Sequence, residues 1–366
     1  MQIETTVKKI ADAINKIANI SSKNISLPIL ENILLITKDN ILTIRSTNLH
    51  VGVEISLAIK SNEDLETSVN LNLFSNIINS LNKEDKIYLN LDKNILKIKT
   101  KNSEMEINTY DSSDFPSLPQ VINALDFIIP VKKFIYGIQS VMYAASRSDI
   151  KPEIASVYIY KNDNELVFVS TDSFRLAEKK IILDGVDDFP GIIIPIKNIQ
   201  ELIKVFSSVD GDVVLSVSDN QISLKNKNIY FTSRIVDGSY PNYTQIIPKE
   251  EKSSAIILKN DLITSLKLVN VFSDDFNQIL LKTDKKKSLI LLNSRNTNIG
   301  ENKTTIQAVV EGDDIEMYLN HKYLTDSFNS LDGDSIHFSF TEKNKPFVVS
   351  SIGDKSFIYL IMPMNR

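Results

Sequence analysis

The apolar positions near the start of the chain recur at helical spacing. Val7, Ile10, Ile14 and Ile17 are separated by three or four residues, which predicts one buried stripe of an amphipathic helix. Lys8, Lys9, Asp12, Asn15 and Lys16 fall on the other side of this helix. The exposed face of this predicted helix is therefore basic and rich in amides.

Runs of alternating or continuous apolar residues predict strands elsewhere. The segments "ILENILLI", "LTIRST", "SVYIYK", "LVFVST" and "SLILLN" are rich in Ile, Leu and Val, and Asn, Asp and Lys separate them. The apolar run "YLIMPM", residues 359–364, lies almost at the end of the sequence. It is either a final strand in a core or part of a surface that binds another molecule.

These patterns repeat with a period of about 125 residues. Helix-then-strand blocks begin at Val69, Ile194 and Met317, and other helical segments begin at Thr6, Pro130 and Leu258. Phe74, Ile199 and Leu324 occupy equivalent positions in the blocks. Each unit is predicted to run helix, strands, helix, strands.

The repeat predicts an α+β protein of three similar domains, each with two helices packed on antiparallel sheets. The Pro-bearing stretches "FPSLPQ" and "IIPKEEKSS" mark the boundaries. We therefore predict domains at residues 1–122, 123–249 and 250–366.

Composition narrows the functional classes. The 366 residues are 42% hydrophobic and 24% charged, which is typical of a folded protein. The absence of cysteine excludes disulfides and thiolate metal sites and favours a reducing cytoplasm. No membrane span or signal segment is predicted. The net charge of −5 argues against nucleic-acid binding over the whole surface, but not against a basic face.

No catalytic motif is found. His50, His321 and His337 are far apart in sequence, and the ten glycines form no phosphate-binding loop. The acidic pairs at 187–188, 274–275 and 313–314 lie at predicted turns. We predict no catalytic residue, no metal site and no cofactor. A carboxylate-dependent nuclease and a DNA-independent repeat scaffold remain as alternatives.

Four segments together resemble the bacterial DNA polymerase III beta subunit, the DNA sliding clamp family. They are "SLPILENILL", "STDSFRLAEKKI", "FTSRIVDGSYPNY" and "YLIMPM", in the family's order and spacing. The resemblance implies three DNA-clamp domains that form half of a closed ring, completed by a head-to-tail homodimer around double-stranded DNA. It implies a cytoplasmic processivity factor at the bacterial nucleoid, without catalysis of its own. The implied partners are the replicative polymerase, the clamp loader, translesion polymerases and mismatch-repair proteins, all bound through short linear peptides.

The resemblance also gives the basic helix faces a role, since they would point towards DNA phosphates without reading bases. The DNA-facing candidates, on or beside the predicted helices, are Lys8, Lys9, Lys16, Lys23, Lys132, Lys133, Arg147, Lys197, Lys204, Lys259 and Lys267.

The family's peptide groove answers the question of the terminal apolar run. Carried over by motif, it would comprise Ile154, Thr171, Ser173, Phe174, Arg175, Leu176, Pro241, Ile246, Phe276, Asn320, Tyr323, Leu360, Ile361, Met362, Pro363 and Met364. Several positions depart from the family. Phe174 replaces a common imidazole, Gln245 replaces a common arginine, and Asn365 and Arg366 differ from the usual ending. Ser173 replaces a frequent glycine, and its turn would strain a serine if φ is positive. A more apolar peptide is therefore expected. Tyr110 and Val271 match the family's dimer interface.

Overall fold

The computed structural model describes residues 3–20, 27–61, 64–183, 186 and 188–365. Six α-helices occur in this part of the chain, two in each sequence repeat, as predicted. They are α1 (Val7–Ile17), α2 (Leu71–Ser80), α3 (Val131–Val141), α4 (Ile196–Phe206), α5 (Lys259–Val271) and α6 (His321–Ser327).

The strands pair antiparallel throughout the described residues. They are β1 (Ile3–Thr6), β2 (Asn32–Lys38), β3 (Ile41–Thr47), β4 (Val51–Ala58), β5 (Lys60–Ser61), β6 (Leu65–Asn70), β7 (Lys86–Asp92), β8 (Ile95–Lys99), β9 (Glu104–Asn108), β10 (Leu125–Pro130), β11 (Ser156–Asn162), β12 (Glu165–Thr171), β13 (Arg175–Ile182), β14 (Ile192–Pro195), β15 (Asp212–Val217), β16 (Gln221–Lys225), β17 (Ile229–Arg234), β18 (Ser253–Leu258), β19 (Gln278–Asp284), β20 (Leu289–Asn296), β21 (Gly300–Glu311), β22 (Glu316–Asn320), β23 (Ser335–Phe340), β24 (Phe347–Ser351) and β25 (Phe357–Ile361).

The chain forms two compact units that divide the central repeat. The first contains residues 1–135 and 197–237, and the second contains residues 136–196 and 238–366. In the first unit lie a five-stranded sheet, β5-β1-β7-β8-β9, and an eight-stranded sheet, β10-β15-β16-β17-β4-β3-β2-β6. In the second lies one sheet of twelve strands, β14-β11-β12-β13-β25-β24-β23-β18-β21-β20-β19-β22.

Each unit joins strands from two repeats in one sheet. In the first unit, β17 of the central repeat pairs antiparallel with β4 of the first, with Thr232 opposite Gly52. In the second unit, β25 of the last repeat pairs antiparallel with β13 of the central repeat, with Leu360 opposite Leu176. The same junction therefore occurs twice, and both junctions continue a sheet from one repeat into the next.

The predicted apolar stripe of α1 is confirmed. Val7, Ile10, Ile14 and Ile17 are fully buried, and Thr6 caps the helix by accepting a hydrogen bond from the Lys9 amide. The equivalent core positions of α2, α4 and α6 are likewise fully buried: they are Phe74, Ile199 and Leu324.

Candidate functional site

The terminal apolar run divides into a buried strand and a half-buried tail. Strand β25 lies between β13 and β24, and its Tyr359, Leu360 and Ile361 are almost wholly buried. Beyond it, the Met362 amide donates to the Phe174 carbonyl at 2.8 Å, and the Met364 amide donates to the Tyr318 carbonyl at 2.7 Å. The run is therefore a core strand as far as Ile361, whereas the tail, Met362 to Met364, remains partly accessible.

The tail meets a tight turn between β12 and β13. The Thr171 hydroxyl donates to the Arg175 carbonyl at 2.6 Å, and Asp172 accepts the amides of Phe174 and Arg175. Ser173 has φ of +77°, so this turn does require the left-handed conformation. A serine adopts it at a cost of about 1 kcal/mol. The turn leaves the Phe174 ring 62% exposed beside the tail.

Arg175 is a buried cation below this turn. Its guanidinium binds Asp172 at 2.9 Å and Asp326 at 2.5 Å, and it lies 4.6 Å from the centroid of the Tyr323 ring. Burial disfavours its charge, yet the Tyr359 phenol and the Asp326 and Asp172 carboxylates together raise the pKa of Arg175. Arg175 thus links the turn to α6 and supports the site from beneath.

An apolar and phenolic cluster lies under Met362. Leu176, Tyr243 and Leu360 are buried in it together with two valines of β12, and Met362 packs against it. The Tyr243 hydroxyl donates to the buried carboxylate of Glu178 at 2.6 Å. Burial, followed by the Glu178 charge, raises the pKa of Tyr243, so this phenol remains protonated and available as a donor.

The other side of the tail is formed by the start of α6 and the segment before β19. Asn320 caps α6 by accepting from the Lys322 amide at 2.9 Å, and its own amide group donates to the Phe276 carbonyl at 3.4 Å. Gln278 donates to the Asn365 carbonyl at 3.2 Å. The Phe276 ring is 72% exposed.

These contacts sort thirteen of the sixteen groove candidates into two groups. Leu176, Leu360, Ile361, Thr171 and Arg175 are buried and form the foundation of the site. Accessible side chains form its surface, which we call the tail site: Phe174, Ile246, Phe276, Asn320, Tyr323, Met362, Pro363 and Met364.

The remaining three candidates lie on neighbouring segments. Ile154 is half-buried before β11, where its carbonyl accepts from the Ser146 amide. Pro241 and Ser173 are exposed in loops. Sequence reasoning missed Asp172, Tyr243, Glu178 and Asp326. Asp172 lies within the quoted "STDSFR" motif and could have been found there, but Asp326 is 151 residues from Arg175 and carries no sequence signal.

Most of the basic candidates lie on helices and are accessible. Lys8, Lys9, Lys132, Lys133, Lys197 and Lys267 are exposed on helices, and Arg147 is exposed in the loop after α3. Lys16, Lys204 and Lys259 are half-buried, and burial lowers the pKa of Lys16 despite the nearby Asp12. Lys23 lies outside the described residues.

At least three of the basic candidates have protein partners, and one of them is Lys9, whose ammonium donates to the Ala58 carbonyl at 3.4 Å. Lys132 forms a salt bridge with Asp210, and the Lys259 ammonium donates to the Leu331 carbonyl at 2.6 Å. Lys8 and Lys267, which no described ion pair engages, are better placed to meet a phosphate.

The predicted dimer residues are both exposed. Tyr110 is 54% exposed after β9, and its amide donates to the Ser68 carbonyl at 2.8 Å. Val271, at the end of α5, is 58% exposed. Strand β9 is the last strand of its sheet, and β18 pairs only with the later part of β21, from Ala308 to Glu311. Two strand edges near these residues therefore remain open in the described chain.

A cleft of about 820 Å³ lies at the equivalent junction in the first unit. Here Gly52 and Thr232 are the paired residues, and a Cβ on Gly52 would lie 2.5 Å from Leu118. Arg45 and Glu54 form an ion pair in its wall. The second unit has the larger apolar residues Leu176, Leu360 and Tyr243 at the corresponding places. The two junctions share a backbone arrangement but differ in chemistry.

Within the described part of the chain, no group of three or more His, Asp or Glu side chains is arranged to hold a metal ion. Among the same residues, no helix has the length and apolarity needed to cross a membrane. Both ring nitrogens of the buried His321 lack a partner among the residues that the structure describes.

Taken together, three α+β repeats joined edge to edge, with a tail site at one junction, define a clamp-type binding protein. Family models for the DNA polymerase III beta subunit match residues 1–119 (N-terminal domain), 128–242 (central domain) and 244–365 (C-terminal domain). The chain belongs to this family, the bacterial DNA sliding clamps.

Individual relatives are similar to this chain over almost their whole length. A beta sliding clamp from Staphylococcus epidermidis is 29% identical over 377 residues, covering 99% of each chain. The crystal structure of the Bacillus subtilis DNA polymerase sliding clamp has a TM-score of 0.93 at 23% identity, covering 100% of this chain and 99% of that one. A Pseudomonas aeruginosa clamp bound to griselimycin has a TM-score of 0.94 at 22% identity, with both chains fully covered.

Proposed function

We propose that two copies of this chain close head to tail into a ring that encircles double-stranded DNA and tethers replication and repair proteins to it. The single observation that carries the proposal is the repeated junction. Strand β17 pairs with β4, and β25 pairs with β13, in equivalent positions of successive repeats. The first and last repeats each retain one member of a third such pair.

That third pair consists of β9 and the first half of β21. Strand β9 corresponds to β17 and β25, and β21 corresponds to β4 and β13, in the order of strands within each repeat. Their open edges can join only between chains if the junction rule holds, and in the proposed dimer this head-to-tail contact closes after two copies. The exposed Tyr110 and Val271 would be covered in the dimer.

DNA would be held by confinement more than by affinity. Lysines on the helices would meet phosphates without reading bases, and such contacts are weak at physiological salt. The overall charge of −5 disfavours binding through the other surfaces. The domain boundaries at 122 and 249, and a cytoplasmic location at the nucleoid, belong to the same proposal.

The tail site would bind short linear peptides of the replicative polymerase, the clamp loader, translesion polymerases and mismatch-repair proteins. Exposed Phe174 and Phe276 and the flexible methionines of the tail offer apolar contacts to such a segment. The clamp itself would perform no catalysis, and the chemistry would belong to the bound partner.

Retention on circular DNA tests the ring. Clamps loaded on a nicked circular plasmid with the cognate clamp loader should co-elute with the plasmid in gel filtration and dissociate when it is linearised. Retention that is equal on linear and circular DNA would contradict confinement.

A charge variant tests the helix faces in the same assay. Lys8, Lys9 and Lys267 replaced together by glutamine should reduce the amount loaded severalfold, because three phosphate contacts are lost. The matched control replaces Lys93, Lys227 and Lys286, which are exposed between strands and should have little effect.

A further inference from the structure

The tail site has an acidic end. Asp326 is exposed beside Tyr323, and Asp274 and Asp275 immediately precede Phe276. The Asp274 carboxylate accepts the amides of Phe276 and Gln278, which holds it next to the exposed ring. Negative charge therefore surrounds the two aromatic rings at this end.

The cations nearby do not balance it. Arg175 is neutralised by Asp172 and Asp326, so this triplet has a net negative charge. Lys322, at the start of α6, offsets one further carboxylate. Arg295 lines a cleft of about 260 Å³ with Asp274 and offsets that carboxylate, so the four carboxylates at this end exceed the cations Arg175, Lys322 and Arg295 by one charge. Gln245 adds no charge near Ile246.

We propose that the tail site selects peptides in which lysine or arginine adjoins the apolar anchors, at the end that lies against Phe276 and Tyr323. This inference rests on the proposed peptide-binding function and adds its specificity. A cation there would face the exposed carboxylates of Asp275 and Asp326, and it would lie near the exposed Phe276 ring and the half-buried Tyr323 ring. A peptide with acidic residues at this end would meet uncompensated carboxylates.

The exposure of Asp275 and Asp326 sets the size of the effect. Exposed ion pairs change affinity by about two- to fivefold each, and salt reduces the change. Two cationic residues should therefore improve the Kd by about tenfold over two acidic ones at low ionic strength, and by less at high salt.

The test uses the full chain and three capped peptides. Each peptide has two leucines and one phenylalanine as anchors, followed by Lys-Lys, Gln-Gln or Glu-Glu, and Kd is measured by fluorescence anisotropy at two salt concentrations. We expect the lysine peptide to bind most tightly and the glutamate peptide most weakly. Equal affinities, or a preference for the glutamate peptide, would overturn the inference while leaving peptide binding intact. Failure of all three to bind would count against the proposed peptide site itself.

Two variants locate the effect. Asp275→Asn should reduce the preference for the lysine peptide by about two- to fivefold and leave the Kd of the glutamine peptide unchanged. Asp313→Asn, an exposed acidic residue in the turn after β21, should change neither. If Asp275→Asn and Asp326→Asn both kept the preference for the lysine peptide unchanged, these carboxylates would not select the peptide.

Discussion

At the residue scale, His321 stands out because it is 2% exposed and both of its ring nitrogens lack a partner in the described chain. Burial and the neighbouring Lys322 lower its pKa, and this outweighs the opposing effect of Asp274 and Asp326. The neutral imidazole is thus part of the native packing at the start of α6, next to Asn320 of the tail site.

This arrangement predicts a loss of stability in acid. The unfolded chain takes up a proton near pH 6.5, whereas the folded chain resists it to lower pH. The contribution of His321 is therefore complete above pH 6.5 and declines as the pH falls towards its folded pKa. Thermal unfolding between pH 8 and pH 5 should show this decline in the parent chain. The decline in stability should be smaller in His321→Gln. It should be unchanged in His50→Gln, because the His50 side chain is exposed. Identical pH profiles for the parent chain and His321→Gln would contradict the assignment.

Residues also show where sequence reasoning reached its limit. The strain at Ser173 follows from its φ of +77° and was predictable from the turn motif. The burial of Leu176, Leu360 and Ile361 was not, because it depends on which strands become neighbours. The sequence pattern of a strand does not show whether an apolar side chain is buried beneath a binding surface or exposed on it.

At the scale of elements, helices were the easier part to predict. The stripe of α1 is visible in the sequence because its period is local, and all six helices follow from the repeat. The place of β25 between β13 and β24 depends on pairing across more than 170 residues, which no local pattern encodes. The ion pair of Arg175 with Asp326 is hidden for the same reason.

The division between strand and tail gives a prediction for the last element. Deleting residues 362–366 leaves β25, which ends at Ile361, intact. It removes the contacts of Met362 with the buried cluster and of Met364 with Tyr318. We expect the affinity for the lysine peptide to fall more than about tenfold, with little change in circular dichroism.

Substitution of Met362 and Met364 by alanine should weaken binding in the same direction. Met105→Ala, in β9 of the other unit, is the matched control and should bind normally. A truncated chain that binds peptides as tightly as the intact one would place the site elsewhere.

At the scale of the whole molecule, one junction is used twice within the chain and, by our proposal, a third time between chains. The two internal junctions differ in their side chains: Leu176, Leu360 and Tyr243 fill one, while Gly52, Thr232 and Leu118 occupy the corresponding places in the other. By our proposal, only the junction filled by apolar side chains binds a peptide.

The absence of cysteine allows the third junction to be tested directly. A variant would carry two cysteines in each chain, one in place of Glu106 in β9 and one in place of Asn302 in β21. A short bis-maleimide would cross-link them, and denaturing electrophoresis would give the mass of the products. A head-to-tail pair should give one discrete product of twice the chain mass, because two equivalent links close it. A ladder of higher multimers, or a monomer linked within itself, would contradict it.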